Sequence, residues 1–435
     1  MMDANTQRLL NELFYANGMT EDILDLPAMT HAFLSQMRIA LYGGKTSIPI
    51  LPTFLKPFGS LSDGVPVAVA ELDDRDVRVS LVTFSQGVPA LSDQASFPIP
   101  GREYPAPLDD LLYAAAELLE PLLDRARAIA VCLPFPTDYD SKGDGVIRRF
   151  PGTMTVTDFR DKPVLAALRA ELASRNLPNL PMVLVSQPDA VLAAAGVRQQ
   201  GQDRYLGLVW DTGIDTGFVA PGSIVLRWLA IPGHLMLFDG GFSSAECVPF
   251  SLVDLPKDRD SYAPGQDLYL KMVSTDYLGD TFRLMMIKAA ERKLLTFGCS
   301  RDVLSLTRLD LDSMMDFLQD PEKGGTMAHF CREPHDREVG LAVAEAVLDR
   351  AVRLVCANLS AVLQFIGGGR NPDRPVCVGL WGDAFRHESL RKALEGHLSS
   401  FTRDSLGHHV TLCTGAEMPA VGAAAVALYN LNPAH

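Results

Sequence analysis

A chain of 435 residues exceeds what one ordinary core supports and predicts two lobes, since domains cluster at roughly 100–200 residues. Hydrophobic residues make up 47% and charged residues 21%, the balance of a folded globular protein, which excludes extensive disorder. A formal charge of -14 leaves no basic face for nucleic acid or a membrane surface, so the expected partner is a small molecule or another protein.

The first residues, MMDANTQRLLNELF, mix charges into their apolar positions and carry no signal-peptide core, and no apolar run reaches membrane-spanning length, so a cytoplasmic location is expected. From Asp3 to Leu41 apolar residues recur at helical spacing, with Leu9, Leu10, Leu13 and Phe14 first and Phe33, Met37 and Leu41 later. YGGKTSIPILPTFLKPFG then reads as an extended connector. VPVAVAEL and VRVSLVTF form a predicted hairpin around an unusual turn, Asp73, Asp74, Arg75 and Asp76, where glycine would be the common choice. A helix is expected over Leu108–Arg127, a strand at AIAVCL, a polar insertion to about Thr157, a helix over Pro163–Ser174 and a buried strand at MVLVS. The theme returns as YLGLVW, the turn DTGIDTG and IVLRWLAI, a weak internal duplication of the hairpin. Helical segments over Gln266–Leu295 and Arg337–Ile366 precede a strand at VCVGL, a helix over His387–Leu398, the strand HVTLC and an Ala-rich terminal helix. This alternation predicts an α/β protein of two related lobes with a cleft between them.

Several motifs lead nowhere. GGKTS lacks the glycine a phosphate loop needs at position 39, which is Ile39, and no strand precedes it. FIGGGR stops a helix. Seven cysteines without CxxC spacing read as reduced thiols, and His408 and His409 have no companion ligands that would suggest zinc.

The stronger signal is distributed. GGKTSIPILPTF, VRVSLV, LPFP, VLVSQPDAVLAA, GLVWDTGIDTG, APGQDLYLKMVSTDYLGD and VCVGLWGDAFRH follow one another in an order that resembles the hexokinase family, from about Gly43 to Leu428. Ala263–Asp280 is similar to the family's NPGQ…EKM…YLGE segment in residues and spacing. The resemblance implies the two-lobed actin-like ATPase fold, of ribonuclease H-like type, and transfer of the γ-phosphoryl group of MgATP to a hexose 6-hydroxyl. The expected division is 1–58 as helices and connector packing on the large lobe, 59–187 with the terminal helix 417–435 as the small lobe, and 188–416 as the large lobe.

The ligand-facing positions depart from the family pattern. In register with DLGGTNFR this chain has Glu71, Leu72, Asp73, Asp74, Arg75, Asp76, Val77 and Arg78, so two glycines that admit a triphosphate are aspartates. Like charges at about 4 Å repel by about 4 kcal/mol at an effective dielectric near 20, so weak or absent MgATP binding is expected. The family's base position in LVNDT falls on Gln187, which cannot accept a proton; Asp189 is the nearby substitute, although Ser186 and Pro188 also suit a helix start. At sugar-binding positions stand Pro134, Phe135, Gly152, Ser186, Asp215 and Leu270, with another glutamate position near Gly233 or His234. At phosphate and nucleotide positions Thr212, Gly213, Gly382 and Asp383 join Asp73, Asp74, Arg75 and Arg78, while GSGKGAAL is matched only partly by Met418–Ala425.

Three readings follow from those substitutions. The first is a hexokinase-fold protein with impaired catalysis that binds a hexose-like small molecule or a protein partner in a regulatory role. The second is an active kinase on a sugar or other hydroxyl compound, with Asp189, Asp211 or Asp215 as base and Arg75, Arg148 or Arg149 clamping phosphate. The third is a divalent-cation site built on Glu71 and Asp211, with Asp73, Asp74, Asp76 and Asp215 near, since hard oxygen ligands suit Mg²⁺ or Ca²⁺.

Overall fold

The computed structural model describes residues 2–225 and 234–431. Two helices open the chain, α1 (Ala4–Ala16) and α2 (Leu26–Leu41), each started by an aspartate that caps free N–H groups, Asp3 and Asp25. Leu10, Leu13, Phe33 and Met37 from these helices are buried in the largest apolar cluster.

The first sheet contains β1 (Val67–Leu72), β2 (Asp76–Ser85), β3 (Val88–Pro98), β4 (Ala128–Leu133) and β5 (Met182–Ser186). Its order is β3-β2-β1-β4-β5, with the three hairpin-linked strands antiparallel and the last two parallel to β1. The second sheet contains β6 (Arg204–Trp210), β7 (Ile214–Pro221), β8 (Leu235–Asp239), β9 (Val376–Trp381) and β10 (Val410–Cys413). Its order, β8-β7-β6-β9-β10, repeats the first strand for strand, and the pair Leu51–Pro52 extends it beyond β8. The duplication inferred from two hairpins therefore reaches through five strands.

One face of the first sheet, Ala68, Ala70, Leu72, Val77, Val79 and Leu81, packs against α3 (Leu108–Leu123), whose leucines all point into that core. Complete burial of each such leucine stabilises the fold by roughly 1.5–3 kcal/mol. The other face, Val67, Val69, Val82 and Phe84, meets α4 (Gln187–Arg198) and the Ala-rich α6 (Met418–Leu431), which lie between the two sheets. Their contact needs small side chains. A Cβ on Gly422 of α6 would fall 1.7 Å from the Ala190 carbonyl of α4. A Cβ on Gly217 of β7 would stand 2.7 Å from the Pro188 carbonyl. The start of α4 is thereby pressed onto the second sheet, at the base of the space between the lobes. The long helix α5 (Pro334–Ile366) covers the far side, its buried Arg350 donating to both Asp254 oxygens.

Several boundaries differ from the sequence expectation. The segment Gln266–Leu295 is two helices, Leu268–Val273 and Thr275–Glu291, broken at Ser274. The polar insertion holds a small hairpin, Thr137–Tyr139 with Gly145–Ile147. In the second lobe the turn is only Asp211–Gly213, closed by a hydrogen bond from the Asp211 N–H to the Gly213 carbonyl, so the partner strand begins at Ile214 rather than in IVLRWLAI. Residues 226–231 of that stretch, and Gly233, lie outside the described residues.

Candidate functional site in the cleft

The turns that end β1 and β6 project toward each other, and between them lies a cavity of about 510 Å³. Asp73, Asp74, Arg75, Arg78, Pro134, Phe135, Gly152, Gln187, Asp211, Thr212, Gly213, Asp215, Leu270, Gly382 and Asp383 all reach its wall. Glu71, Ser186, Asp189 and Arg148 are not among the lining residues.

The aspartate turn does not simply present its charges to the cavity. Asp73 Oδ1 accepts the N–H groups of Arg75 at 2.8 Å and Asp76 at 2.7 Å, and Asp73 pairs through Oδ2 with Arg78 at 2.8 Å. Backbone donors that glycines would leave open to an anionic ligand are taken by the turn's own carboxylate. Asp74 is buried, and burial followed by the nearby Asp73 raises its carboxyl. Asp211 repeats the device in the second lobe, its Oδ1 accepting the Thr212 N–H at 2.9 Å. Burial, then the neighbouring Asp383, pushes Asp211 up to about 7, against the opposing pull of Arg75.

The two lobes touch through ion pairs. Arg75 reaches across to Asp383 at 2.8 Å and Asp211 at 3.8 Å, and Arg386 meets the same Asp383 oxygen at 3.2 Å. Arg149 holds Asp267 by a two-pronged contact, one arm of which measures 2.7 Å. Arg148 pairs instead with Asp138. Beside these contacts Tyr262 packs on Gly152, leaving no room for a longer side chain there: a Cβ at 152 would lie 2.4 Å from the Tyr262 Cβ.

At the floor Gln187 and Pro188 face the cavity. Ser186 is the N-cap of α4, its hydroxyl accepting the Asp189 N–H at 3.3 Å. Asp189 therefore turns away from the cleft: it is fully buried, both its carboxyl oxygens lack a hydrogen-bond partner among the described residues, and burial together with Asp239 raises it well above the carboxylate range. It is a correction to the idea that Asp189 stands in for the missing base. Asp215 has Oδ1 committed to the N–H groups of Thr216 and Phe242, and burial and Asp239 raise it as well. Asp239, raised to about 6 chiefly by burial, and Tyr139, whose hydroxyl has no hydrogen-bond partner among the described residues, lie beneath the floor with Asp189.

The proposed cation ligands are divided rather than assembled. Glu71 faces a separate recess with Arg78, Ser80 and Glu417, and burial pushes it up to about 7. Asp211 belongs to the Arg75–Asp383 group. Among the described residues no set of three or more His, Cys, Asp or Glu side chains is arranged to hold a metal ion. Sequence reasoning missed Arg386, Tyr262 and Asp239. Arg386 was the most accessible of these, since it lies one helical turn beyond Asp383.

Much of the rest of the wall is apolar, with Ser243 and Gln266 as polar exceptions. Leu270, Pro134, Pro136, Pro151 and Ile214 line it, and Phe135 and Phe150 pack ring to ring at 4.7 Å. A hexose presents hydroxyls on every edge, and these side chains offer them no hydrogen bonds.

The family model described as hexokinase matches residues 239–429. Hexokinase-1 of Oryza sativa is 24% identical over 320 residues, covering 69% of this chain and 64% of that relative, so the chain spans somewhat under two thirds of it. Hexokinase-2 of Candida albicans is 22% identical over 370 residues, 78% of this chain and 75% of the relative. The hexokinase of Schistosoma mansoni, solved with glucose, superposes with a TM-score of 0.81 at 20% identity over 97% of this chain and 99% of its own. A further hexokinase crystal structure gives 0.77 at 16% identity, over 97% of this chain and 99% of that one. The fold is thus the two-lobed actin-like ATPase fold, and the chain is similar to these curated hexokinases at 22–24% identity.

Proposed function

We propose that this protein uses the hexokinase scaffold as a regulatory or ligand-binding device and does not transfer phosphate from MgATP to a hexose. The observation that carries this reading is that Asp73 and Asp211 accept the backbone N–H groups of their own turns at 2.7–2.9 Å. An incoming triphosphate would have to displace a carboxylate at each turn and then sit beside it. The residues present do not fit MgATP.

Two further features support the reading. Gln187 carries no proton-accepting group at the floor, and a positioned base typically contributes on the order of 10²–10⁴-fold in rate. Leu270 and Gly152 supply no contacts to sugar hydroxyls. We adopt for this reading the division into 59–187 with the terminal helix, 188–416, and 1–58 packed on the larger lobe, and a cytoplasmic role with a small-molecule ligand or a protein partner.

One observation favours a second reading, an active kinase on another hydroxyl compound. Asp211 lines the cavity with its carboxyl raised to about 7, a value suited to a general base. A coupled assay of ADP release with glucose, fructose and glycerol decides between them. The expected result is no turnover above background and no rise in melting temperature with MgATP. Sustained turnover abolished by Asp211→Asn overturns the first reading in favour of the second.

A further inference from the structure

The two guanidinium groups of Arg75 and Arg386 converge on one oxygen of Asp383, at 2.8 and 3.2 Å. Arg75 comes from the β1–β2 turn of one lobe, while Asp383 and Arg386 follow β9 in the other. Two arginines closing from opposite walls on a single anionic atom is the arrangement by which proteins grip phosphate or carboxylate ligands. Here the gripped anion is a side chain of the chain itself. Asp383 lines the 510 Å³ cavity and keeps 22% of its side-chain surface exposed, so it fills the grip from within the cleft and not from behind it.

We propose that Asp383 is an internal pseudo-ligand: it occupies an anion site between Arg75 and Arg386 and, through Arg75, clasps the lobes together with no ligand bound. The site is one for a small compound carrying two or more negative charges, of the phosphate or carboxylate class, which competes with Asp383 for the arginines. The clasp explains why an arginine stands in a turn otherwise made of aspartates. Arg75 is the member of that turn that reaches the other lobe. Asp211, 3.8 Å from Arg75, adds a weaker contact to the same clasp and would oppose an incoming anion when ionised. The inference rests on the reading above that the cleft is not a working MgATP site.

The test uses the full chain with pyrophosphate as probe, by isothermal titration at about pH 6, below the point at which Asp211 gives up its proton. Asp383→Asn keeps the side-chain shape and removes the charge. Its pyrophosphate affinity is expected to exceed that of the unaltered protein at least about tenfold, and the double variant Asp383→Asn/Arg75→Gln is expected to lose that gain. Small-angle scattering without ligand reads the clasp: both Asp383→Asn and Arg75→Gln are expected to increase the radius of gyration. Equal affinity in the unaltered protein and Asp383→Asn overturns the anion site. If Asp383→Asn fails to fold, Arg75→Gln still decides the clasp, and an unchanged radius of gyration overturns it. Turnover with glucose and MgATP would refute the functional reading, whereas equal pyrophosphate affinity without turnover refutes this inference alone.

Discussion

Asp73 shows how one side chain can satisfy the backbone and exclude a ligand together. Its carboxylate accepts two N–H groups and pairs with Arg78, so Asp73→Ala leaves two turn donors without their partner and Arg78 with only the longer contact to Glu71 at 3.9 Å. A loss of about 1–2 kcal/mol in urea unfolding is expected, with Asp73→Asn costing less because its carbonyl oxygen still accepts the N–H groups. Equal losses for the two variants would contradict this account. At the floor, Gln187→Asp restores a carboxylate at the family's base position but leaves both turns filled, so no hexose phosphorylation is expected from that variant in the ADP-release assay. The sequence was informative at these positions in part only. It identified which residues stand where ligand contacts are made in the family, because the motifs around them are kept. It read Asp73 as a charge facing outward, because a side chain that folds back onto its own turn has the same letters as one that does not. Asp189 misled for a related reason: with Ser186 as cap and Pro188 in the first turn, helical geometry aims it at the second sheet and away from the cavity.

The secondary structure was most readable where burial imposed a period. The strands β1, β2, β4, β5, β6 and β9 are apolar or alternating runs, and each was legible. β3 was not, since its sequence VPALSDQASFP is largely exposed and its pairing with β2 comes from the backbone without an apolar face to announce it. Helix packing was hidden for another reason, because it depends on what two distant elements do together. Gly422 is a case: nothing local marks it, yet its bare backbone sits against the Ala190 carbonyl. Gly422→Ala forces α4 and α6 apart and is expected to destabilise the protein by about 1–3 kcal/mol or more, read as a lower melting temperature. On α5 the buried Arg350 donates to Asp254, which also holds Lys257 at 3.0 Å. Asp254→Asn takes the shared carboxylate from two buried cations, Arg350 and Lys257, and is expected to cost about 3–5 kcal/mol in chemical denaturation, whereas Arg350→Met leaves Asp254 paired with Lys257 and is expected to cost less. An Arg350→Met variant at least as unstable as Asp254→Asn would show that the packing of the arginine, and not an unpaired charge, sets the cost.

Across the whole molecule the same five-strand order is used twice, and each copy sends its first hairpin turn into the cleft. Acidic groups are concentrated where the copies meet: Glu71 and Asp211 are raised to about 7 and Asp239 to about 6, each with burial as the first cause, and Asp74, Asp189 and Asp215 are raised too. The unfolded chain ionises such groups near pH 4, so between that point and their folded values the native state holds more protons than the unfolded one. Stability contributed by these carboxyls is therefore complete on the acid side and is lost as pH rises through about 6 to 7. Carboxylates with lowered values, Asp254 foremost with burial outweighed by Lys257 and Arg350, act in the opposite sense, but their contribution is already complete above about pH 4 and stays constant across the neutral range. The expected outcome is a protein less stable at about pH 8 than at about pH 5, by at least about 2 kcal/mol in urea unfolding, with the difference reduced in Asp239→Asn because one raised carboxyl no longer titrates. A flat profile over that interval would mean that these carboxyls are solvated enough to ionise normally, and the cleft would then be far more open to water and to anions than its buried carboxyls imply.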